Sequence, residues 1–332
     1  MPGKARPSAE ERLIARHFRP LAKHPGAFGL ADDAAAIAPP SGCDLVLTTD
    51  GVIAGVHVFA DDPPELIARK ALRMNLSDLA AKGATPLGFL LALSLPAGTK
   101  KWWLAAFARG LGEDAKHYGC PLLGGDTDHT PGPAAVSIAA FGAVPRGKMV
   151  RRSTAKVGDA VLVTGTIGDA ALGLELRRDP RLAKRWRLGD AEAAELVRRY
   201  RLPQPRNALA PTVLRYASAA IDISDGLAGD LDKLCRGSKV AAEIEVAQVP
   251  LSKPARAALT GEPKLMETVL TGGDDYEVAL TVAPKKLAAF HRAAKAAGVP
   301  VTEIGQVRRG EGARFIQEGK ALNFARPAYS HF

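Results

Sequence analysis

Apolar runs along this chain end repeatedly on small acidic turns, and their spacing predicts alternating strands and helices. Val46 to Thr49 reads as a strand with Asp50 at its carboxyl end. Residues 63–83 read as a helix: Pro63 and Pro64 open it, Gly83 closes it and Pro86 follows. On that helix Ile67, Ala71, Met74 and Asp78 fall at spacings of four, three and four, so the carboxylate continues an apolar stripe. A helix-end Asp turned to solvent has the same spacing. Ala134 to Ala143 reads as a sheet strand, Pro145 to Lys156 as a basic crossover, and Asp159 to Thr164 as a fresh strand. The turn Gly165-Thr166-Ile167-Gly168 and an Ala/Leu-rich helix come next. Ala219 to Ile223 is a short strand running into Ser224, a natural helix cap, after which Leu227, Leu231 and Leu234 keep helical spacing. Glu277 to Val282 is another strand and Lys285 to Ala297 another helix.

Six acidic clusters punctuate these elements: Asp32-Asp33, Thr48-Thr49-Asp50, Ser77-Asp78, Gly124-Gly125-Asp126-Thr127, Asp222-Ile223-Ser224-Asp225-Gly226 and Gly272-Gly273-Asp274-Asp275. Carboxylates set among apolar residues cost too much to bury unpaired, so a chain that repeats them needs cations or hydrated turns. Hard oxygen donors gathered from several loops suit Mg²⁺ together with substrate phosphates. That pattern points to phosphoryl-transfer chemistry. Its recurrence at comparable strand ends in both halves predicts a duplicated α/β plan.

At 332 residues the chain exceeds one ordinary core, and two domains of about 150 residues follow, with a boundary expected between 147 and 148. Hydrophobic residues at 47% and charged ones at 24% are ordinary for a soluble globular protein. Three widely spaced cysteines, Cys43, Cys120 and Cys235, fit neither a disulfide framework nor a zinc pair, and the expected compartment is a reducing cytoplasm. The most apolar stretch, Leu87 to Leu95, falls short of the roughly 20 residues that span a bilayer, so no membrane association is expected. The N-terminal segment has Glu10 and Glu11 and no apolar signal core. The net charge of +10 is concentrated in basic runs. They show no aromatic interleaving and no nucleic-acid motif, so they are read as solvated surface or as attraction of anionic nucleotides, and no nucleic-acid partner is expected.

Gly142-Ala-Val-Pro-Arg-Gly147-Lys148 matches the spacing of a phosphate-binding P-loop, but Met149 stands where a magnesium-holding Ser or Thr belongs and Pro145 interrupts the loop. The Gly165 to Gly168 turn fails the three-glycine dinucleotide pattern. Asp222 and Ser224, two apart at a strand end, share a face, and Gly226 lets the backbone turn into a helix. An ordinary cap, with Ser224 or Asp225 bonding backbone amides, is the alternative for this segment. Gly124 to Thr127 reads either as a simple turn or as a close approach to phosphate with Asp126 on a metal. Thr48, Thr49 and Asp50 offer hydroxyl, carbonyl and carboxylate oxygens, and His57 is a lone histidine. No Ser/His/Asp or Cys/His spacing supports covalent hydrolysis.

Taken in order, the stretches ADDAAAI, LTTDGVIAGVHVF, ARKALRMNLSDLAAKGATP, LLGGDT, VRRSTAKVGDAVLVTGTIGDAALGL, AIDISDGLAGDL, LTGGDDYE and AYSHF resemble the thiamine-monophosphate kinase family of the aminoimidazole ribonucleotide synthetase-like superfamily. The resemblance covers about Gly29 to Phe332. It implies an α/β fold of the α+β type, with two synthetase-like domains, each a mixed sheet covered by helices. The N-terminal one would carry the ATP/Mg²⁺ site and form a homodimer. The implied reaction is ATP-dependent phosphorylation of thiamine monophosphate to thiamine diphosphate with several Mg²⁺ ions, the final step of thiamine diphosphate biosynthesis. By residue matching, Asp33, Thr48, Thr49, Asp50, Asp78, Asp126, Asp222 and Asp225 would be metal ligands. Gly125, Asp126, Arg152 and Ser224 would hold ATP, and His57, Asp274 and Tyr329 would line the thiamine-phosphate site. Asp126, Arg152 and Asp222 would carry the catalysis, Arg152 by stabilising charge on the phosphates. An anionic phosphate acceptor needs no strong base, only relief of repulsion and in-line alignment. The alternatives are another ATP-using member of the superfamily, or a catalytically silent binding protein with the same fold. Two departures stand out: Ala31 where the family has Gly, and Asp274 where Glu is common. No role is assigned to Asp128 and His129.

Overall fold

The computed structural model describes residues 8–329. The chain forms two compact units. One contains the residues up to Asn75 together with Pro86–Ala143, and the other contains Leu76–Thr85 and the chain from Val144 onward. The segment Leu76–Thr85, which includes the end of a long helix, therefore belongs with the second unit although it lies within the first half of the sequence.

The first unit is built on four strands, β1 (Cys43–Ile53), β2 (Thr85–Pro96), β3 (Leu122–Thr130) and β4 (Ala135–Pro145), in the order β1-β4-β2-β3, with β2 and β3 parallel. Its helices are α1 (Ala9–His17), α2 (Pro64–Ala81) and α3 (Lys101–His117), α2 being the one that runs into the second unit. Along β2 Phe89, Leu91, Leu93 and Leu95 alternate into the core, and Val136, Ile138 and Ala140 do the same along β4. In α2, Ala68, Leu72 and Leu76 are fully buried, so polar side chains on this helix need internal partners. Arg69 and Arg73 find theirs in Asp114 of α3, which accepts from Arg69 Nε at 3.0 Å and from Arg73 Nε and Nη2 at 2.6 and 3.0 Å.

The second unit is a seven-stranded sheet of β5 (Ala160–Thr164), β6 (Ala217–Ile223), β7 (Ala241–Glu245), β8 (Glu277–Val282), β9 (Val301–Arg308), β10 (Gly312–Gln317) and β11 (Lys320–Ala321). Their order is β11-β10-β7-β9-β5-β8-β6, antiparallel except for the β7/β10 pair. Helices α4 (Asp169–Arg178), α5 (Leu182–Arg185), α6 (Asp190–Arg201), α7 (Ala210–Tyr216), α8 (Leu227–Ser238), α9 (Lys253–Gly261), α10 (Leu265–Thr271) and α11 (Leu287–Ala296) accompany it. Period-two alternation divides β5 between two cores. Val161 and Val163 pack with Leu172, Leu227 and Leu231 on one face, and Ala160 and Leu162 with Val213 and Phe290 on the other. The sheet is thus a mixed one covered by helices on both faces, as the sequence predicts.

Three local expectations change, the first because β1 runs on to Ile53 and so holds Asp50 inside the strand rather than at its carboxyl end. Ser224 does not cap a helix: α8 starts at Leu227 behind Gly226, whose φ of 114° is open to glycine, and no side chain caps it. The segment 285–297 splits into a 3₁₀ turn, Pro284–Lys286, and α11. The P-loop match dissolves as its sequence suggested, since Gly142 lies in β4 and the next helix is α4. The three cysteines are free thiols, and burial pushes those of Cys120 and Cys235 up to about 12.

Replacing Asp114 with alanine is expected to strand the buried Arg73 guanidinium beside Arg69. Loss of one partner of a buried pair typically costs about 3–5 kcal/mol. Urea denaturation of Asp114→Ala should show a loss of that size. A change of under about 1 kcal/mol would mean that the two arginines re-partner without cost.

Candidate functional site

In the second unit the carboxyl end of β6 opens into a cavity of about 530 Å³, lined by Asp78, Lys82, Arg152, Asp222, Ser224 and Asp225, with Asp230 and Lys233 among the others. The turn after β6 is shaped by Asp230, one helical turn into α8. Its Oδ2 accepts from the N–H groups of Ser224 at 3.0 Å and Asp225 at 2.9 Å. Lys233 Nζ bridges Asp230 Oδ1 at 2.9 Å and the Asp225 carboxylate. Burial pushes the Asp230 carboxyl up, against the pull of Lys233. Burial also lowers Lys233, but its hydrogen bonds to Asp225 and Asp230 prevail and hold the ammonium above its usual range.

Three successive carbonyls of this turn each receive a backbone N–H from elsewhere in the unit. Ile223 accepts from Tyr276 at 2.8 Å, Ser224 from Asp274 at 2.8 Å, and Asp225 from Tyr329 at 3.0 Å. The strap that supplies the Asp274 and Tyr276 N–H groups, Gly272 to Glu277, requires glycine where it approaches the turn, because a Cβ on Gly273 would lie 2.0 Å from the Ser224 carbonyl oxygen. Asp274 itself sits at φ 70°, where a non-glycine residue is uncommon. The next residues anchor the strap inside the unit. Asp275 is buried and accepts from Gly168 N at 2.8 Å and Ala170 N at 3.3 Å, at the start of α4. Burial raises its carboxyl well above the usual range, against those two hydrogen bonds and Arg199. Glu277 takes Arg199, Arg206 and Thr164.

The first unit holds the other matched residues. Asp33, Gly125 and Asp126 line a cavity of about 830 Å³ whose walls include Leu45, Leu47, Leu91 and Phe141. A Cβ at Gly125 would fall 1.8 Å from the Leu91 carbonyl oxygen, so this register of β3 on β2 admits only glycine there. Asp126 Oδ1 accepts from Thr127 N at 2.9 Å. On β1, Thr48 and Asp50 share the side of Val46 and Val52, whereas Thr49 faces the other way with Leu47. One strand face therefore does not present all three side chains, and a metal shared with Thr48 or Asp50 is open to Thr49 only through its backbone. His57 Nδ1 accepts from Ile53 N at 3.1 Å, and its carbonyl accepts from the buried Lys70 at 3.1 Å. With Nδ1 an acceptor, the neutral ring carries its proton on Nε2.

Asp78, Arg152, Asp222, Ser224 and Asp225 thus meet at one cavity, with Asp274 and Tyr329 bonded to its turn. Asp33, Gly125 and Asp126 meet at another. Thr48, Thr49, Asp50 and His57 lie along and just beyond β1. Among the described residues no three His, Cys, Asp or Glu side chains converge as a closed metal cage. Mg²⁺ does not require one: it keeps waters and is usually held by one or two carboxylates plus substrate phosphates, and the oxygen-only donors at both cavities fit that chemistry. Sequence reasoning missed Asp230, Lys233 and Lys82. The first two follow the Asp222 cluster at i,i+3 spacing on a helix, and Lys82 lies four residues after Asp78.

Both halves of the chain match known proteins. The family model described as AIR synthase related protein, N-terminal domain, matches residues 31–144, and its C-terminal counterpart matches residues 156–317. The thiamine-monophosphate kinase of Caulobacter vibrioides is 42% identical over 331 residues, covering 98% of this chain and 92% of that protein. The crystal structure of thiamine-monophosphate kinase from Stenotrophomonas maltophilia superposes with a TM-score of 0.83 at 37% identity, covering 95% of this chain and 98% of that one. A structure of AaThiL complexed with AMPPCP and TMP has a TM-score of 0.78 at 30% identity, covering 92% of this chain and 97% of that one.

Asp275 gives the unit a pH signature. A carboxyl raised in the folded state binds its proton more tightly there than in the unfolded chain. The stability it contributes is therefore present below about pH 4, the unfolded value, and is lost as pH rises through the folded one. Asp275→Asn does not titrate, so the melting temperature of the wild type relative to this variant should be most favourable at acid pH and decline towards neutrality. A difference that grows with pH would contradict the raised carboxyl.

Proposed function

The chain belongs to the thiamine-monophosphate kinase family, with both AIR synthase related domains in order, and on that premise we propose that it transfers the γ-phosphoryl group of ATP directly to the phosphate of thiamine monophosphate. The product is thiamine diphosphate, and the reaction is the last step of its biosynthesis. The observation that carries the reading is the convergence of Asp78, Arg152, Asp222, Ser224 and Asp225 on one cavity, with Asp274 and Tyr329 bonded to the same turn.

Several Mg²⁺ ions, when bound, supply charge screening between the two anionic phosphates and help align the in-line transfer. Asp78, Asp222 and Asp225 would hold metal in the second unit, and Asp33, Thr48, Thr49, Asp50 and Asp126 in the first. In the second unit Arg152 and Ser224 would orient ATP, the guanidinium offsetting charge on the transferred group, and in the first unit the Gly125-Asp126 backbone would serve as a nucleotide contact. In the first unit His57 carries an Nε2–H donor suited to a phosphate of the acceptor, and in the second unit Asp274 and Tyr329 are the proposed acceptor contacts. No residue is asked to act as a strong base, because the attacking oxygen is already anionic. The edge strand β1 exposes Leu45, Leu47 and Ile53, which supports a homodimer formed through the first unit. Among the described residues no helix is long and apolar enough to cross a membrane, in keeping with the proposed cytoplasmic location.

The purified protein, given ATP, Mg²⁺ and thiamine monophosphate, should yield thiamine diphosphate by mass, with free thiamine barely phosphorylated. Turnover of thiamine but not of its monophosphate would overturn the substrate assignment. In the same assay Asp225→Ser should lose activity by orders of magnitude. Its half-exposed pair with Lys233 is worth under about 1 kcal/mol, so its melting temperature should hardly move. Full activity in a stable variant would remove Asp225 from the site. Sedimentation should give twice the monomer mass, and a monomer at working concentration would refute the dimer.

A further inference from the structure

Lys82 lines the cavity and is bonded to three of the elements carrying the site, twice through its backbone and once through its ammonium. Its backbone N–H donates to Asp78 at 3.0 Å, continuing α2 and placing the two side chains one turn apart. Its carbonyl accepts from Val150 at 3.2 Å, tethering the segment that leads to Arg152. Its Nζ donates to the Ala220 carbonyl at 3.1 Å, two residues before Asp222 on β6. An ammonium serving as an ordinary helix-end cation would bond the last carbonyls of its own helix, whereas this one crosses to a strand.

The charge balance of the cavity gives that placement a purpose. Four carboxylates (Asp78, Asp222, Asp225 and Asp230) face four cations (Lys82, Arg151, Arg152 and Lys233). Lys233 is engaged with Asp225 and Asp230. The field around Lys82 comes from Asp222 and then Asp78, opposed by Arg152, while burial lowers its ammonium. An ammonium has three N–H donors, and Ala220 takes one.

We infer that Lys82 is the fixed cation of this phosphate site, an ammonium built into the cavity that balances Asp78 and Asp222 and offers positive charge to the polyphosphate of the nucleotide. This rests on the reading of the cavity as a nucleotide site. A fixed positive charge attracts phosphate and repels metal, so its removal should move the two affinities in opposite directions. A purely structural lysine would not split them.

The experiment compares wild type, Lys82→Met and Lys82→Arg by calorimetric titration with ATP in EDTA, and by electron paramagnetic resonance titration with Mn²⁺ alone. Lys82→Met should bind metal-free ATP roughly tenfold more weakly, a change of about 1.4 kcal/mol, and should bind Mn²⁺ more tightly. Lys82→Arg should restore ATP binding. Melting temperatures should stay close together. Unchanged ATP affinity in Lys82→Met would overturn the inference, as would joint weakening of both ligands with a falling melting temperature. A wild type that binds no ATP with or without metal would instead overturn the nucleotide reading, and this inference with it.

Discussion

Two consecutive backbone N–H groups at the end of β6 have one acceptor, the Asp230 carboxylate, and the geometry of the second unit's cavity depends on that arrangement. With both donors drawn inward to α8, the carbonyls of Ile223, Ser224 and Asp225 remain directed at other chain segments, and each accepts an N–H. The side chains of Ser224 and Asp225 are thereby released from capping duty and line the cavity. The same carboxylate fixes Lys233, so that a single buried charge orders backbone and side chains together. Such a group is costly to bury, and here the cost is offset by three charge-assisted hydrogen bonds.

The strap from Gly272 to Glu277 divides its labour between alternate residues. Asp274 is bonded to the site turn, Asp275 holds the start of α4, Tyr276 is bonded back to Ile223, and Glu277 enters β8 already saturated by two arginines and a threonine. Buried ion networks of this kind contribute little net stability against an apolar replacement, because desolvation consumes most of the Coulombic gain. They specify position instead. Asp274 is held at a backbone conformation that a freely turning loop would seldom adopt.

Much of this plan was legible in the sequence where burial and period coincide. Strands β5, β6 and β8 are apolar and buried nearly throughout, and small residues bound them, so a run of five to seven residues identifies them. Strands β7, β9 and β10 escaped because Glu243, Glu303 and Arg314 break their apolar pattern on exposed positions. The run of β2 is so uniformly apolar that no period shows, and length alone separates such a strand from a buried helix. The acidic clusters do not all fall at turns: Asp222 to Asp225 spans the end of β6, but Asp50 and Asp126 lie inside β1 and β3 and Asp78 inside α2. Direction was not legible: Thr48, Thr49 and Asp50 look equivalent in sequence, yet the pleat sends Thr49 away from the other two. Nor was partnership, since Lys82 meets Ala220 across 138 residues of chain.

The bond from Tyr329 to the Asp225 carbonyl has a consequence in time. Synthesis runs from Asp78 to Tyr329 through about 250 further residues, on the order of tens of seconds at typical elongation rates. Only in the last part of that interval, once Gly272 to Glu277 have been made, does the nascent chain hold both the carboxylates and the strap, still without the tyrosine bonded to their turn. Residue 229 must remain glycine for the late-arriving tail to seat, since a Cβ there would lie 2.3 Å from that of Ala328. The bond from Tyr329 is thus made by a segment synthesised about 90 residues after the helix that offers its docking surface.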